Sequence, residues 1–133
     1  MKLDRPNLPA RAAALAAFAF SLPSLAHHSF VAVFDPSQPI ELRGTVTGIE
    51  WMNPHVWFYI DVEGDDGGVE NWGFEMGSPN GLIRRGWNHQ SLQVGHVVTV
   101  AGVRARDGSQ RAAVRTVTLS DGRSLFGAQD ESR

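Results

Sequence analysis

The sequence predicts a mainly β fold of five short strands, with one short helix between the third and the fourth. Three observations carry that expectation. Apolar and polar residues alternate with a period of two in several stretches, the mark of half-buried strands. Clusters rich in Gly and Asp separate those stretches at hairpin length. A helix start is written in only one place, Ser78-Pro79-Asn80.

Each element follows in order. In the first strand Ile40, Leu42 and Val46 alternate with Glu41, Arg43, Thr45 and Thr47, while Gly44 and Gly48 predict a bend or bulge. His55 to Val62 is the second strand, with Val56, Phe58, Ile60 and Val62 on one face and His55, Trp57, Tyr59 and Asp61 on the other. Gly64-Asp-Asp-Gly-Gly68 reads as a hairpin loop. The third strand, about Val69 to Met76, sets Trp72, Phe74 and Met76 against Asn71, Gly73 and Glu75. Ser78 is a suitable N-cap, Pro79 suits the first helical position, and Gly86 suits the stop after Arg85. Residues 96–103 form the fourth strand, Asp107-Gly108 a turn, and residues 112–119 the fifth strand. This order matches a small OB-like Greek-key barrel, of the oligonucleotide/oligosaccharide-binding kind. A small sandwich or another barrel is the alternative.

The flanks differ from this body. Lys2, Arg5 and Arg11 precede the short apolar run 12–20, and Ser24 and Ala26 fit a small-x-small cleavage rule, so residues 1–26 read as a secretory signal peptide. The run is about half of the roughly 20 residues a membrane span requires. The expected mature chain is exported, periplasmic or secreted, without a membrane span. Residues 27–39, with Pro36 and Pro39, read as an extended N-terminal arm. The OB-like domain is expected over 40–127 and a frayed tail over 128–133.

Charge and composition exclude several classes. Cleavage after Ala26 removes Lys2, Asp4, Arg5 and Arg11, leaving 107 residues with 9 basic and 13 acidic side chains, a net charge of −4 and no lysine. Such a chain is a poor nucleic-acid partner. With no cysteine there is no disulfide, no thiolate metal site and no cysteine nucleophile. Nucleophile elbow, zinc-protease helix, P-loop and dinucleotide fingerprint are all missing, and Ser29, Ser78 and Ser91 have no sequence-visible partner, so no enzyme is expected.

Two features point to binding. A chain cleaved after Ala26 begins His27-His28, and an N-terminal histidine offers its amine and its imidazole Nδ1 to one metal. The α-amino group, with an ordinary pKa of roughly 7.7–8.0, yields its proton readily to a competing metal. Nitrogen ligands favour copper, nickel and zinc, with Cu(II) bound most tightly. His55, at the rim after Asn53-Pro54, is the expected third nitrogen. His89 and His96 are alternatives more readily explained as a surface and a structural residue, and Glu75 or Asp35 is an oxygen source. The second feature is the face carrying Trp57, Tyr59, Asn71 and Glu75, where aromatic rings suit a flat or sugar-like ligand. The arm, or Leu125-Phe126, could instead cover those rings. Arg84, Arg85, Arg104, Arg106, Arg111 and Arg115 read as solvated hairpin charges.

Several strings together resemble a known family: Ala26-His-His-Ser-Phe30, Glu50-Trp-Met-Asn-Pro-His-Val-Trp57, Ser78-Pro-Asn-Gly-Leu82, Arg85-Gly-Trp87 and Arg104-Ala-Arg-Asp-Gly-Ser109. The chain is similar, from His27 to about Phe126, to an uncharacterised family of small exported bacterial proteins with an Asn-Pro-His motif. The resemblance implies export and a small β-rich domain, and no mechanism. The leading expectation is therefore an exported, non-enzymatic binding protein with a copper-like site at His27, His28 and His55. The alternative is a metal-free module that takes a small organic ligand or an envelope protein through Trp57, Tyr59, Asn71 and Glu75.

Overall fold

The computed structural model describes residues 26–127; the signal segment expected before Ala26 and the tail expected at 128–133 lie outside the described residues. The element order is α1 (Ala26–Val33), β1 (Phe34–Glu50), β2 (Trp57–Glu63), β3 (Val69–Glu75), α2 (Pro79–Arg84), β4 (Val97–Ala105), β5 (Arg111–Leu119) and β6 (Ser124–Phe126). The fold is mainly β, with little helix.

Strand neighbours follow the order β3-β2-β1-β4-β5-β6, each adjacent pair antiparallel. A short parallel pairing also sets Gly73, Phe74 and Glu75 of β3 beside Arg111, Ala112 and Ala113 of β5. The long β1 serves both sides of the sheet. Its first part pairs with β4 as far as Thr45, and Thr45 to Glu50 pair with β2. Between Val46 and Gly48 the register slips by one residue, the bulge expected there. Gly44 sits where a Cβ would run into the Asp61 carbonyl, so only a glycine lets β1 approach β2 this closely.

Alternation decides which side chains enter the core. Val56, Phe58 and Ile60 of β2 and Phe74 and Met76 of β3 are fully buried, and Trp72 nearly so. Phe58 and Phe74 face each other across the ladder with ring centroids 5.3 Å apart. Each such side chain contributes about 1.5–3 kcal/mol by leaving water. α2 forms as its signals require: the Ser78 hydroxyl accepts from the Gly81 N–H at 3.2 Å, Pro79 occupies the first turn, and Gly86 follows at φ +95°. Leu82 drops from this helix into the core, joined by Trp87, whose Nε1 donates to the Phe126 carbonyl at 2.8 Å.

Two expectations change. The arm 27–39 is not extended throughout: residues up to Val33 are helical, and β1 begins at Phe34. The cause is a second cluster, in which Phe34 is buried with Val103, Ala105 and Ala113 and Phe30 packs against them. Pro36 is tolerated because the β1–β4 ladder is interrupted between Phe34 and Pro39, and Pro39 stands where pairing resumes, opposite Val103. Secondly, there is a sixth strand. Ser124–Phe126 is too short to show a period, but it pairs with Thr116–Thr118 after a turn at Gly122, φ +85°.

Candidate functional site

Register places the outward side chains of β1, β2 and β3 in rows. Trp57 stands between Glu50 on β1 and Glu75 on β3; Tyr59 stands between Gly48 and Gly73; Asp61 stands between Thr45 and Asn71. The two glycines leave room for the Tyr59 ring. A Cβ on Gly73 would lie 3.3 Å from its Cε1, and one on Gly48 would lie 3.5 Å from its Cδ2. The ring therefore spreads across three strands beside Trp57, itself 3.7 Å from the same Gly73 position.

Polar contacts tie this face together. The Tyr59 hydroxyl donates to Glu50 at 3.2 Å. Burial first, and then the Glu50 charge, push the Tyr59 phenol above its ordinary value. Asn71 Nδ2 donates to Asp61 Oδ1 at 2.8 Å and to Thr47 Oγ1 at 3.1 Å, which holds the bulged Thr47 against β3. Thr47 and Glu50 thus belong to the face; alternation puts Thr47 on the polar side of β1, but Glu50 reaches it only because the bulge shifts the register of β1 by one.

His55 and Glu75 meet at the end of this face. The imidazole Nδ1 lies 2.5 Å from Glu75 Oε1, with the Glu75 side chain 13% exposed and that of His55 44%. A ring nitrogen at this distance donates its proton to the carboxylate, so a neutral ring keeps the lone pair on Nε2. Carboxylate support at one nitrogen is how a metal-ligating histidine is commonly oriented. Glu75 thus contacts the His55 ring while standing on the same face as Trp57. Glu75 also neighbours Ala113 in the parallel pairing, and Ala113 lies in the cluster with Phe34 and Phe30. Phe30 of α1 thus packs on a cluster that includes the strand neighbour of Glu75.

The other expected residues are elsewhere or engaged. His89 is exposed and packs its ring on Trp51, centroids 4.7 Å apart; His96 is exposed at the entry to β4. Asp35 accepts from Ser37 and Gln38 and pairs with Arg106 at 3.3 Å; its carboxyl is held below the ordinary value, chiefly by Ser37. The side chains of His27 and His28 lie outside the described residues. Among the described residues no three His, Asp or Glu side chains converge into a group able to hold a metal ion. The arm does not lie over Trp57 and Tyr59, whose rings stay partly exposed, because Phe30 and Phe34 pack on β4 and β5. Leu125 packs into the core, and Phe126 is largely exposed. The arginines form no common patch: Arg104 lies over the Trp72 ring at 5.1 Å, Arg106 pairs with Asp35 and Arg111 with Asp107. Among the described residues no helix is long and apolar enough to cross a membrane.

These features define a small mainly β protein with an acidic, aromatic sheet face that ends in a carboxylate-supported histidine. Residues 14–114 match the family model described as "Family of unknown function (DUF6152)", and the chain belongs to that family. No curated protein and no solved structure matches the chain.

Proposed function

We propose that this is an exported, periplasmic or secreted, non-enzymatic binding protein whose site takes a transition-metal ion of the copper type. Its ligands are the processed N-terminal His27, His28 and, from the body of the domain, His55. The observation that carries the reading is the His55–Glu75 pair, in which the carboxylate engages Nδ1 and leaves Nε2 as the nitrogen for an ion. The packing of Phe30 and Phe34 on the neighbour of Glu75 supports the reach: His27 lies seven helical steps before Phe34, about 10 Å at 1.5 Å per residue. We assign the fold to the OB-like Greek-key barrels, with β6 as an addition. The circuit β1-β2-β3-β5-β4-β1 returns to its starting strand, which supports that assignment, and in such barrels the outer face of strands two and three is a usual binding surface.

The test is a Cu(II) titration of exported protein beginning at His27, beside a form with one extra N-terminal residue. The extra residue removes the amine–imidazole chelate, so a marked loss of affinity is expected; equal affinities refute the chelate. Glu75→Gln is expected to weaken binding about 10–100-fold by releasing the ring. A second reading rests on the partly exposed Trp57 and Tyr59 rings: a metal-free module that takes a small organic ligand or an envelope partner through Trp57, Tyr59, Asn71 and Glu75. A Trp57-dependent fluorescence response to an envelope metabolite, in the presence of a metal chelator, would favour it.

A further inference from the structure

The β1–β2 ladder ends at Glu50 opposite Trp57. Next to these two residues in the connecting segment, Trp51 packs against the core and Val56 is fully buried. Met52 and His55 come next, separated only by the bend at Asn53 and Pro54. Both reach solvent: Met52 is 57% exposed and the His55 side chain 44%. Residues so close in the chain, on either side of a bend, lie within reach of one ion, which can bridge a thioether sulfur and an imidazole nitrogen.

We infer that Met52 Sδ and His55 Nε2 form a soft sulfur–nitrogen seat for monovalent copper, with the Trp57 ring beside it. Thioether sulfur selects Cu(I) over the harder divalent ions, which prefer nitrogen and oxygen. Glu75 holds His55 by its other nitrogen, leaving Nε2 for the ion. Trp57 follows His55 by two residues, opposite Glu75, and an indole face attracts a cation. The inference rests on the proposed reading that His55 Nε2 faces a metal, and it adds an oxidation state and a ligand that a search among nitrogen and oxygen donors passes over.

Protein recovered after export is titrated with Cu(I) under anoxic conditions against the chromogenic chelator bicinchoninate, and separately with Cu(II). Met52→Leu keeps an apolar side chain of similar volume and removes only the sulfur. The expected result is a fall in Cu(I) affinity of at least about tenfold in Met52→Leu and in His55→Ala, with Cu(II) affinity of Met52→Leu within about twofold of the parent. X-ray absorption of the Cu(I) form is expected to show a sulfur neighbour in the parent that Met52→Leu lacks. Equal Cu(I) affinities of parent and Met52→Leu, or a spectrum without sulfur, overturn the inference even where the Cu(II) chelate at His27 holds. A parent that binds no Cu(II) but binds Cu(I) in a Met52-dependent way overturns the chelate and supports the sulfur seat.

Discussion

Truncating Phe34 to alanine tests whether the segment before β1 is part of the folded body. Phe34 is 2% exposed and is walled by Val103, Ala105, Ala113 and Phe30. An aromatic side chain buries about 150–250 Å², so the loss relative to alanine is roughly 100 Å², worth about 2.5 kcal/mol at 25 cal/mol/Å². Three of the four neighbours, Val103, Ala105 and Ala113, are short side chains on paired strands and cannot collapse into the space. A cavity term therefore adds to the transfer term, and Phe→Ala replacements in cores run about 3–5 kcal/mol. Because the wall is only four residues, the low end applies, about 3 kcal/mol. For a domain near 100 residues this corresponds to a fall in Tm of about 12–24 °C, read by thermal unfolding in circular dichroism, with urea unfolding as a check. A fall smaller than about 3 °C would mean that the segment contributes nothing to the cooperative fold. It would also remove the support that this packing lends to the reach of His27 towards His55.

Three further outcomes follow from the same structure. The chain holds one tyrosine, so its phenolate absorbance reports Tyr59 alone; Glu50→Gln is expected to bring the Tyr59 pKa part of the way back towards its ordinary value, with the burial contribution left in place. Because folding raises that pKa, Tyr59 favours the folded state below its unfolded pKa, and the contribution fades as pH rises through the folded value; an unmoved absorbance titration in Glu50→Gln would contradict the pairing. Asp107 is held down at about 2, first by Ser109 and then by Arg111. Its folded pKa lies below the unfolded 3.8, so its contribution is present above that value and is lost as pH falls towards 2, and carboxyl NMR should show this titration move up in Ser109→Ala. Trp87→Phe removes the donor to the Phe126 carbonyl. It is expected to cost about 1 kcal/mol and to raise hydrogen exchange in β6, and unchanged exchange there would mean that this bond does not hold the strand.

The legibility of the fold varies by element. β2 and β3 could be read residue by residue, because their alternation is regular and their core sets, Val56-Phe58-Ile60 and Trp72-Phe74-Met76, are unbroken. α2 was equally plain, since Ser78, Pro79 and Gly86 act on the backbone within one turn. The segment 26–39 was not. Its two phenylalanines, at 30 and 34, have no period of their own, and their burial depends on β4 and β5, some 70 residues further on. β6 was missed because three residues carry no period and are ordered by Thr116–Thr118 and by Trp87. At the site, His55, Trp57, Tyr59, Asn71 and Glu75 were rightly placed on one face. Glu50 is not legible there because the bulge at Val46–Gly48 shifts the register of β1, and Thr47, though on the polar side by alternation, is tied to the face only by its bond to Asn71 on another strand.

The sequence by itself determined what local chemistry dictates: which stretches alternate, which face of each strand is apolar, where the one capped helix starts and stops, and that no cysteine takes part in any site. These are decided within a few residues by backbone geometry and solvation. Only the tertiary structure decided what lies beside what. It set β3 against β5, docked Phe34 on Ala113, brought Glu75 to the imidazole of His55 from another strand, and left Met52 and His55 exposed on either side of a bend. Those neighbours depend on the register between segments distant in the chain. Register is fixed by the bulge, the close approach at Gly44 and the packing of the whole core together, so no local pattern encodes it.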